Sequence, residues 1–358
     1  MSYLFYFAHP AQFLFARSSV DNLIASGKEV HVLIKDKDVL ENLVKQSGLD
    51  YQNILPEGRG SSKLAILFSL LKRNAKLFIF LTKHKVDLLV GTDASVAQVG
   101  RLFGKKTITI LEDDYAIIKQ LAKLTYPFTT HILVPEPCEV GPYESKKIGY
   151  PGYMKLAYLG PGIFSPDRSS VHLDRNPYFL LRLSALMAHH DKGVQGLTDE
   201  VLSDIIGRLK KHGNVYISSE KELKPEFEPY RLQLNPSDIH HYLYFSEMFI
   251  SDSQSMSVES ALLGVPSIRV SDFAGRISVL NELEDKYQLT YGLKPGNNND
   301  LMRKIDELLA MENRNNIFQK RRVKMLSEKI NVADFLFNYI KDFVGEPVYR
   351  FWNHQIKS

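Results

Sequence analysis

Residues 251–270 read SDSQSMSVESALLGVPSIRV. The apolar run MFI leads into this stretch, so a strand ends in small hydroxyl residues. A helical pattern with Glu259 follows within a few positions, and then a Gly-Val-Pro. In open α/β sheets, ligands bind outside the carboxyl ends of strands, where a strand hands over to a helix. Small residues there let backbone N–H groups and a helix N-terminus come close to a phosphate. Ser251, Asp252 and Ser253 end the strand, and Ser255 or Ser257 is placed to cap the next helix. Glu259, four residues past Ser255, shares its helical face one turn further in. A carboxylate at that point would repel a phosphate but could accept both hydroxyls of a ribose. The stretch therefore predicts an anion at the helix mouth, with Ser253, Gln254 and Ser255 around it, and a sugar diol at Glu259.

The same strand–helix grammar runs outward in both directions. YLFYF, EVHVLIK, VDLLVG, KTITIL and HILVP read as strands in the first 155 residues, with FLFARSSVDNLIASG, KDVLENLVKQSG and YAIIKQLAKLTYPF as helices between them. The strands are unbroken apolar runs, as expected of a parallel sheet covered on both faces. A Pro-, Gly- and aromatic-rich passage at 150–170 interrupts the pattern and reads as an interdomain connection. The pattern then restarts with YFLLRLS, TDEVLSDIIGRLKKHG, NVYISSE, YRLQL, PSDIHHYLYFSE and MFISDS. After residues 251–270 come a helix around AGRISVLNELEDKY, the strand-like QLTYG, and helices LMRKIDELLAM and NVADFLFNYIKDFV. The predicted fold class is α/β, with two doubly wound Rossmann-like domains facing a cleft. Their expected bounds are 1–158 and 165–330, with 331–358 as a C-terminal helix and tail packing back on the first domain.

A chain of 358 residues is comfortable for two domains, and 44% apolar with 24% charged residues is a folded composition. A net charge of +4 is too small to point to nucleic acid. One cysteine, Cys138, excludes an intramolecular disulfide and a thiolate-rich metal site. The start YLFYFAHP is short and lacks a basic segment, so no secretory leader is expected and the expected location is cytoplasmic. The longest apolar window, residues 64–81, is broken by Lys72, Arg73 and Lys76. It is a poor membrane span, but it suits either a core helix or peripheral contact with the inner face of a membrane. Neither half has G-x-G-x-x-G after its first strand, and P-loop, H-E-x-x-H and G-x-S-x-G motifs are absent.

Five further loops follow predicted strands or lie beside them. LLRLSALMAHHDKG offers Arg182, which could grip a diphosphate bidentately, and then His189, His190, Asp191 and Lys192. His190 is the candidate there for acid–base work or phosphate orientation. Adjacent histidines do not converge easily on one ion, so no metal is expected. His240 and His241 lie on a helix after Ser237 or Asp238, one of them facing the site. Thr92, Asp93 and Ser95 sit at a helix mouth in the first half, and Glu112, Asp113 and Asp114 follow the next strand. Asp93 and Glu112 are the candidates for a general base or an acceptor-hydroxyl contact. His9, with Pro10, stands where a glycine-rich loop would otherwise be and is a candidate substrate contact.

Taken together, GTDASVAQVG, PGYMKLAYLGPGIFSPD, LRLSALMAHHDKGVQGL, the segment 236–270 and LEDKYQLTYG resemble the DUF354 family. That family falls within the GT-B-type superfamily of many glycosyltransferases and the non-hydrolysing UDP-N-acetylglucosamine 2-epimerases. The epimerases bind nucleotide sugar with a T-D-S-G-G-x-x-E-E-A segment. It falls here on Ser251, Asp252, Ser253, Gln254, Ser255 and Glu259, with the two glycines replaced by Gln254 and Ser255 and the first paired glutamate by Val258. Glu259 matches the ribose-binding glutamate of such sites. Asp93 and Glu112 resemble cleft acids of the epimerases, whereas their H-R-x-E-N loop is AHHDKG here and their R-P-E-x-x-K pattern is absent.

The resemblance implies a nucleotide-diphosphate sugar, expected in its UDP-linked form, as substrate rather than a tightly bound cofactor. Three functions are open: glycosyl transfer to a saccharide or lipid-linked acceptor in polysaccharide or glycoconjugate biosynthesis, C2 epimerisation of the sugar nucleotide, and binding without turnover. In the first, the second domain holds the donor, Arg182 and Lys192 neutralise the leaving diphosphate without a metal, and Asp93, Glu112 or His9 in the first domain activates the acceptor.

Overall fold

Strand β1 (Ser2–Phe7) is buried at every position, as an apolar strand must be in a sheet covered on both faces. In the computed structural model, which describes residues 1–35, 39–55, 63–184, 197–219 and 222–343, β1 is an interior strand of a seven-stranded sheet. Helix α1 (Pro10–Ala25) follows, with Pro10 in its first turn, where a missing N–H costs nothing. Then come β2 (Glu29–Ile34), α2 (Leu40–Gln46), β3 (Gln52–Asn53), α3 (Lys63–Lys83), β4 (Leu88–Gly91), α4 (Ala94–Leu102) and β5 (Lys106–Ile110). Helix α5 (Lys119–Thr125), β6 (His131–Pro135) and β7 (Lys147–Tyr150) complete the sheet. Its order is β3-β2-β1-β4-β5-β6-β7 and every pairing is parallel.

Strand order reverses after β1. With right-handed crossovers, this puts α1 and α2 on one face of the sheet and α3, α4 and α5 on the other. The packing agrees: α1 touches α2, α3 lies along α4, and α4 along α5.

The one-turn helix α6 (Leu156–Leu159) carries the chain into a second unit. Its elements are β8 (Tyr178–Leu183), α7 (Asp199–Leu209), β9 (Asn214–Ser219), α8 (Ile239–Tyr244), β10 (Met248–Ser251), α9 (Gln254–Leu263) and β11 (Ser267–Val270). Helix α10 (Ser278–Asn281), β12 (Thr290–Leu293), α11 (Asn298–Leu309) and α12 (Arg314–Ser327) complete it. The five parallel strands run β12-β11-β10-β8-β9. The chain then returns to the first unit, which comprises Met1–Tyr158 and Ile330–Ser358, while the second spans Leu159–Lys329. Helix α13 (Val332–Phe343) packs along α1, and the Ile330 N–H donates to the Pro151 carbonyl at 3.0 Å.

Three readings of the sequence need correction. YRLQL forms no strand: Arg231 makes an isolated bridge to Ile217, and the Leu232 N–H donates to the Ile217 carbonyl at 2.8 Å. The helix expected over AGRISVLNELEDKY is the single turn α10 running into a π-helical turn at Glu282–Lys286. Strands β3 and β7 were not anticipated. One is two residues long, and the other, KIGY, is an edge strand without an apolar run.

Candidate functional site

Strand β10 ends at the fully buried Ser251, and α9 begins three residues later. Ser253 is the N-cap, its extended backbone letting Oγ accept from the Met256 N–H at 3.3 Å. The cap expected at Ser255 or Ser257 therefore lies further back. Both of those residues are already helical, and Ser257 Oγ instead donates to the Ser253 carbonyl at 2.8 Å. Gln254 Nε2 donates to Ser271 Oγ at 2.6 Å, which ties the helix mouth to the end of β11. Residues 253–256 are all partly exposed, so their own unit does not seal the mouth.

Glu259 is buried further along α9, and its Oε2 lies 3.3 Å from Nε2 of His240 on α8. The His240 and His241 rings both pack against Phe164, and His241 Nδ1 accepts from the Asp167 N–H at 2.9 Å. The helical histidines thus divide their work: His240 orients the glutamate, and His241 fastens the loop that enters the second unit. Arg182 on β8 donates through Nη1 to Ser218 Oγ at 2.6 Å, and Asp252 Oδ1 accepts from the Ser184 N–H at 2.7 Å. Arg182 pairs in register with Ser251, and Ser251 with Arg269, so the three stand in one row across β8, β10 and β11.

Arg269 is a group that sequence reasoning missed. It is fully buried, and none of its guanidinium nitrogens finds a hydrogen-bond acceptor among the described residues. Burial pushes the group down to about 10, with Glu284 opposing the shift. Room for it comes from Gly292, where a Cβ would stand 2.6 Å from Arg269 Nη2. Within the strand SIRV nothing sets this arginine apart, because its burial is a tertiary property.

In the first unit, His9, Asp93 and Glu112 follow β1, β4 and β5. These are neighbouring parallel strands, so all three residues leave the same end of the sheet. His9 is the N-cap of α1, with Nδ1 accepting from the Ala11 N–H at 3.2 Å. The neutral ring then carries its proton on Nε2, which makes that edge a donor. Asp93 caps α4: Oδ1 accepts from the Ser95 N–H at 3.0 Å and from Ser95 Oγ at 2.8 Å. Arg73 Nε lies 3.2 Å from the same carboxylate. Burial alone would raise the Asp93 carboxyl, but Arg73, Lys35 and the Ser95 bonds outweigh it and hold the group below the usual range. A carboxyl so held anchors a helix well and accepts protons poorly near neutral pH. Glu112 is partly buried in a different pairing, with Oε1 accepting from the Met154 N–H at 2.7 Å and Oε2 ion-paired to Lys155. Asp114 Oδ1 accepts from the Glu139 N–H at 2.8 Å, so it secures the turn beside Glu112.

His189, His190, Asp191 and Lys192 lie outside the described residues. Among the described residues, no three or more His, Cys, Asp or Glu side chains are grouped to hold a metal ion, and no helix is long and apolar enough to cross a membrane.

Solved structures share this pair of Rossmann-like units, the GT-B-type fold. MnaA of S. aureus in complex with UDP superposes with a TM-score of 0.70 at 10% identity, covering 96% of each chain. A UDP-GlcNAc 2-epimerase from Neisseria meningitidis bound to UDP-GlcNAc gives 0.65 at 13% identity, covering 96% of this chain and 99% of that one. MurG of Acinetobacter baumannii gives 0.58 at 13%, covering 96% and 100%. At these identities the likeness is one of fold. No curated protein matches the sequence. A family match runs from residue 9 to residue 343, through both units and the returning helix, and the chain belongs to the family described as "Protein of unknown function (DUF354)".

Proposed function

We propose that the protein is a glycosyltransferase-like enzyme whose second unit binds a nucleotide-diphosphate sugar, in the synthesis of a polysaccharide or glycoconjugate. The observation that carries this reading is the partly exposed mouth of α9, capped by Ser253, with Glu259 one turn inside and held by His240. A diphosphate at Ser253, Gln254 and Ser255 would meet unpaired helix N–H groups and the positive end of the helix dipole. Glu259 would accept the two ribose hydroxyls, with His240 fixing its carboxylate. Arg182 would neutralise the leaving diphosphate, and Arg269, in the same strand row, adds a second positive charge beside Ser251. The first unit then takes the acceptor. His9 donates to it from Nε2, and the base is Asp93 or Glu112, each held by a cation in this structure, Arg73 for the first and Lys155 for the second. Lys192 and His190, which lie outside the described residues, are assigned to the phosphates on the sequence alone.

That one of the similar structures holds UDP and another UDP-GlcNAc supports this class of ligand. The higher TM-scores of the epimerase folds favour a second reading, C2 epimerisation of the same sugar nucleotide.

Titration calorimetry with UDP tests the binding step. UDP is expected to bind, and Glu259→Ala to weaken it about tenfold or more, the worth of hydrogen bonds to a charged group. No heat with UDP, thymidine diphosphate or the other nucleoside diphosphates would overturn the proposal. Incubation with UDP-N-acetylglucosamine alone separates the chemistries. A changed sugar configuration without acceptor means epimerisation, and product that forms only with a saccharide or lipid-linked acceptor means transfer. Binding with neither product would mark a protein that only holds the sugar nucleotide.

A further inference from the structure

Helix α3 is apolar on its outward face as well as its inward one. Leu67, Phe68, Leu71, Ala75, Phe78, Ile79 and Thr82 are its exposed residues before Lys83. At 3.6 residues per turn they fall within an arc of about 120°, so a nearly unbroken apolar stripe faces outward. The exposure is large: 71% for Phe68, 56% for Leu71 and 53% for Ile79. The inward face holds Leu70, Leu77 and Leu81, and the buried Arg73 is spent on Asp93 and Ser69. Lys72, Lys76 and Lys83 lie together along one edge of the outward stripe. The apolar surface continues across the same helical layer through Leu102 on α4 to Leu124 and Phe128 at the end of α5.

The charges on this layer have one sign. Helices α3, α4 and α5 contain no aspartate or glutamate, yet they carry Lys72, Lys76, Lys83, Arg101, Lys119 and Lys123 beside the apolar stripe. An isologous contact with a second copy would bring equal cations face to face. A helix with an apolar face flanked by lysines is instead the form that lies in the plane of a lipid interface, with the acyl boundary taking the apolar side chains and anionic headgroups the cations. We propose that the α3–α4–α5 face docks on the surface of an anionic lipid bilayer. The contact is peripheral, and it does not depend on which nucleotide the second unit binds.

Co-sedimentation of the full-length protein with unilamellar vesicles, without nucleotide, tests this. Phosphatidylcholine vesicles doped with phosphatidylglycerol are expected to carry the protein down about tenfold better than phosphatidylcholine alone, with the gain lost at high salt. Lys72→Gln, Lys76→Gln and Lys83→Gln should each cut partitioning about fivefold. The double variant Phe68→Ser, Leu71→Ser should abolish it while leaving the melting temperature unchanged, because both side chains already face solvent. Equal partitioning of that variant, or no binding to the anionic vesicles, would overturn the proposal. So would light scattering that shows a dimer of the unaltered protein and a monomer of the double variant, since the face would then close on a second copy.

Discussion

Asp93 and Arg73 are both almost fully withdrawn from solvent, and each would be costly to leave alone. Removing one partner of a buried pair typically costs about 3–5 kcal/mol, because the other charge stays behind. Arg73→Met is therefore expected to lose about 3 kcal/mol in urea unfolding. The pair also has a pH signature. The folded Asp93 carboxyl lies below its unfolded value, so its share of stability is complete above about pH 4 and is lost as pH falls through the folded value. Asp93→Asn should flatten the acid limb of stability against pH, and an unchanged limb would exclude the pairing. At this scale the sequence spoke only locally. The cap, expected at Ser255 or Ser257, is Ser253, whereas the place of Glu259 on the face of Ser255 was readable because a helical face is a matter of short spacing. Arg73, Lys155 and Arg269 were not, because their partners lie 20 and 43 residues away for the first two, and burial alone marks the third.

At the scale of elements, the end of α9 explains the Gly-Val-Pro of the opening stretch. Gly264 closes the helix in the left-handed region at φ 72°, a conformation that glycine adopts without steric cost. Gln319 and Arg322 of α12 then donate to the last carbonyls, those of Leu263 at 2.9 Å and Leu262 at 2.6 Å. A Cβ at Gly264 would stand 2.7 Å from Gln319 Nε2. Gly264→Ala is expected to cost about 1–3 kcal/mol from backbone strain and overpacking, measured by chemical denaturation. A neutral result would mean that α12 does not hold the helix end. Among elements, the long apolar strands were visible as runs, and these fixed the parallel sheets. Strand β7 was hidden because an edge strand need not be apolar. YRLQL was misread because alternating leucines suit a strand even where a single bridge to Ile217 is all that forms.

On the scale of the whole molecule, the returning segment matters most. Helix α13 buries Val332, Leu336, Ile340 and Phe343, each worth roughly 1.5–3 kcal/mol, and the smaller Ala333 within the first unit. Ending the chain at Lys329 should leave the second unit cooperative in calorimetry while the first melts at lower temperature and binds a hydrophobic dye. A single transition at the original temperature would contradict this division. The arrangement also sets an order of events on the ribosome. Domains generally fold as they emerge, amino-terminal first, but the sheet translated first here lacks a wall until residue 343 has been made. At usual elongation rates the 185 residues between Tyr158 and Phe343 take on the order of 10–40 s. Throughout that interval the nascent chain keeps the outer side of α1 uncovered while the later-made unit can already close, so the first half to be synthesised is the last to be finished.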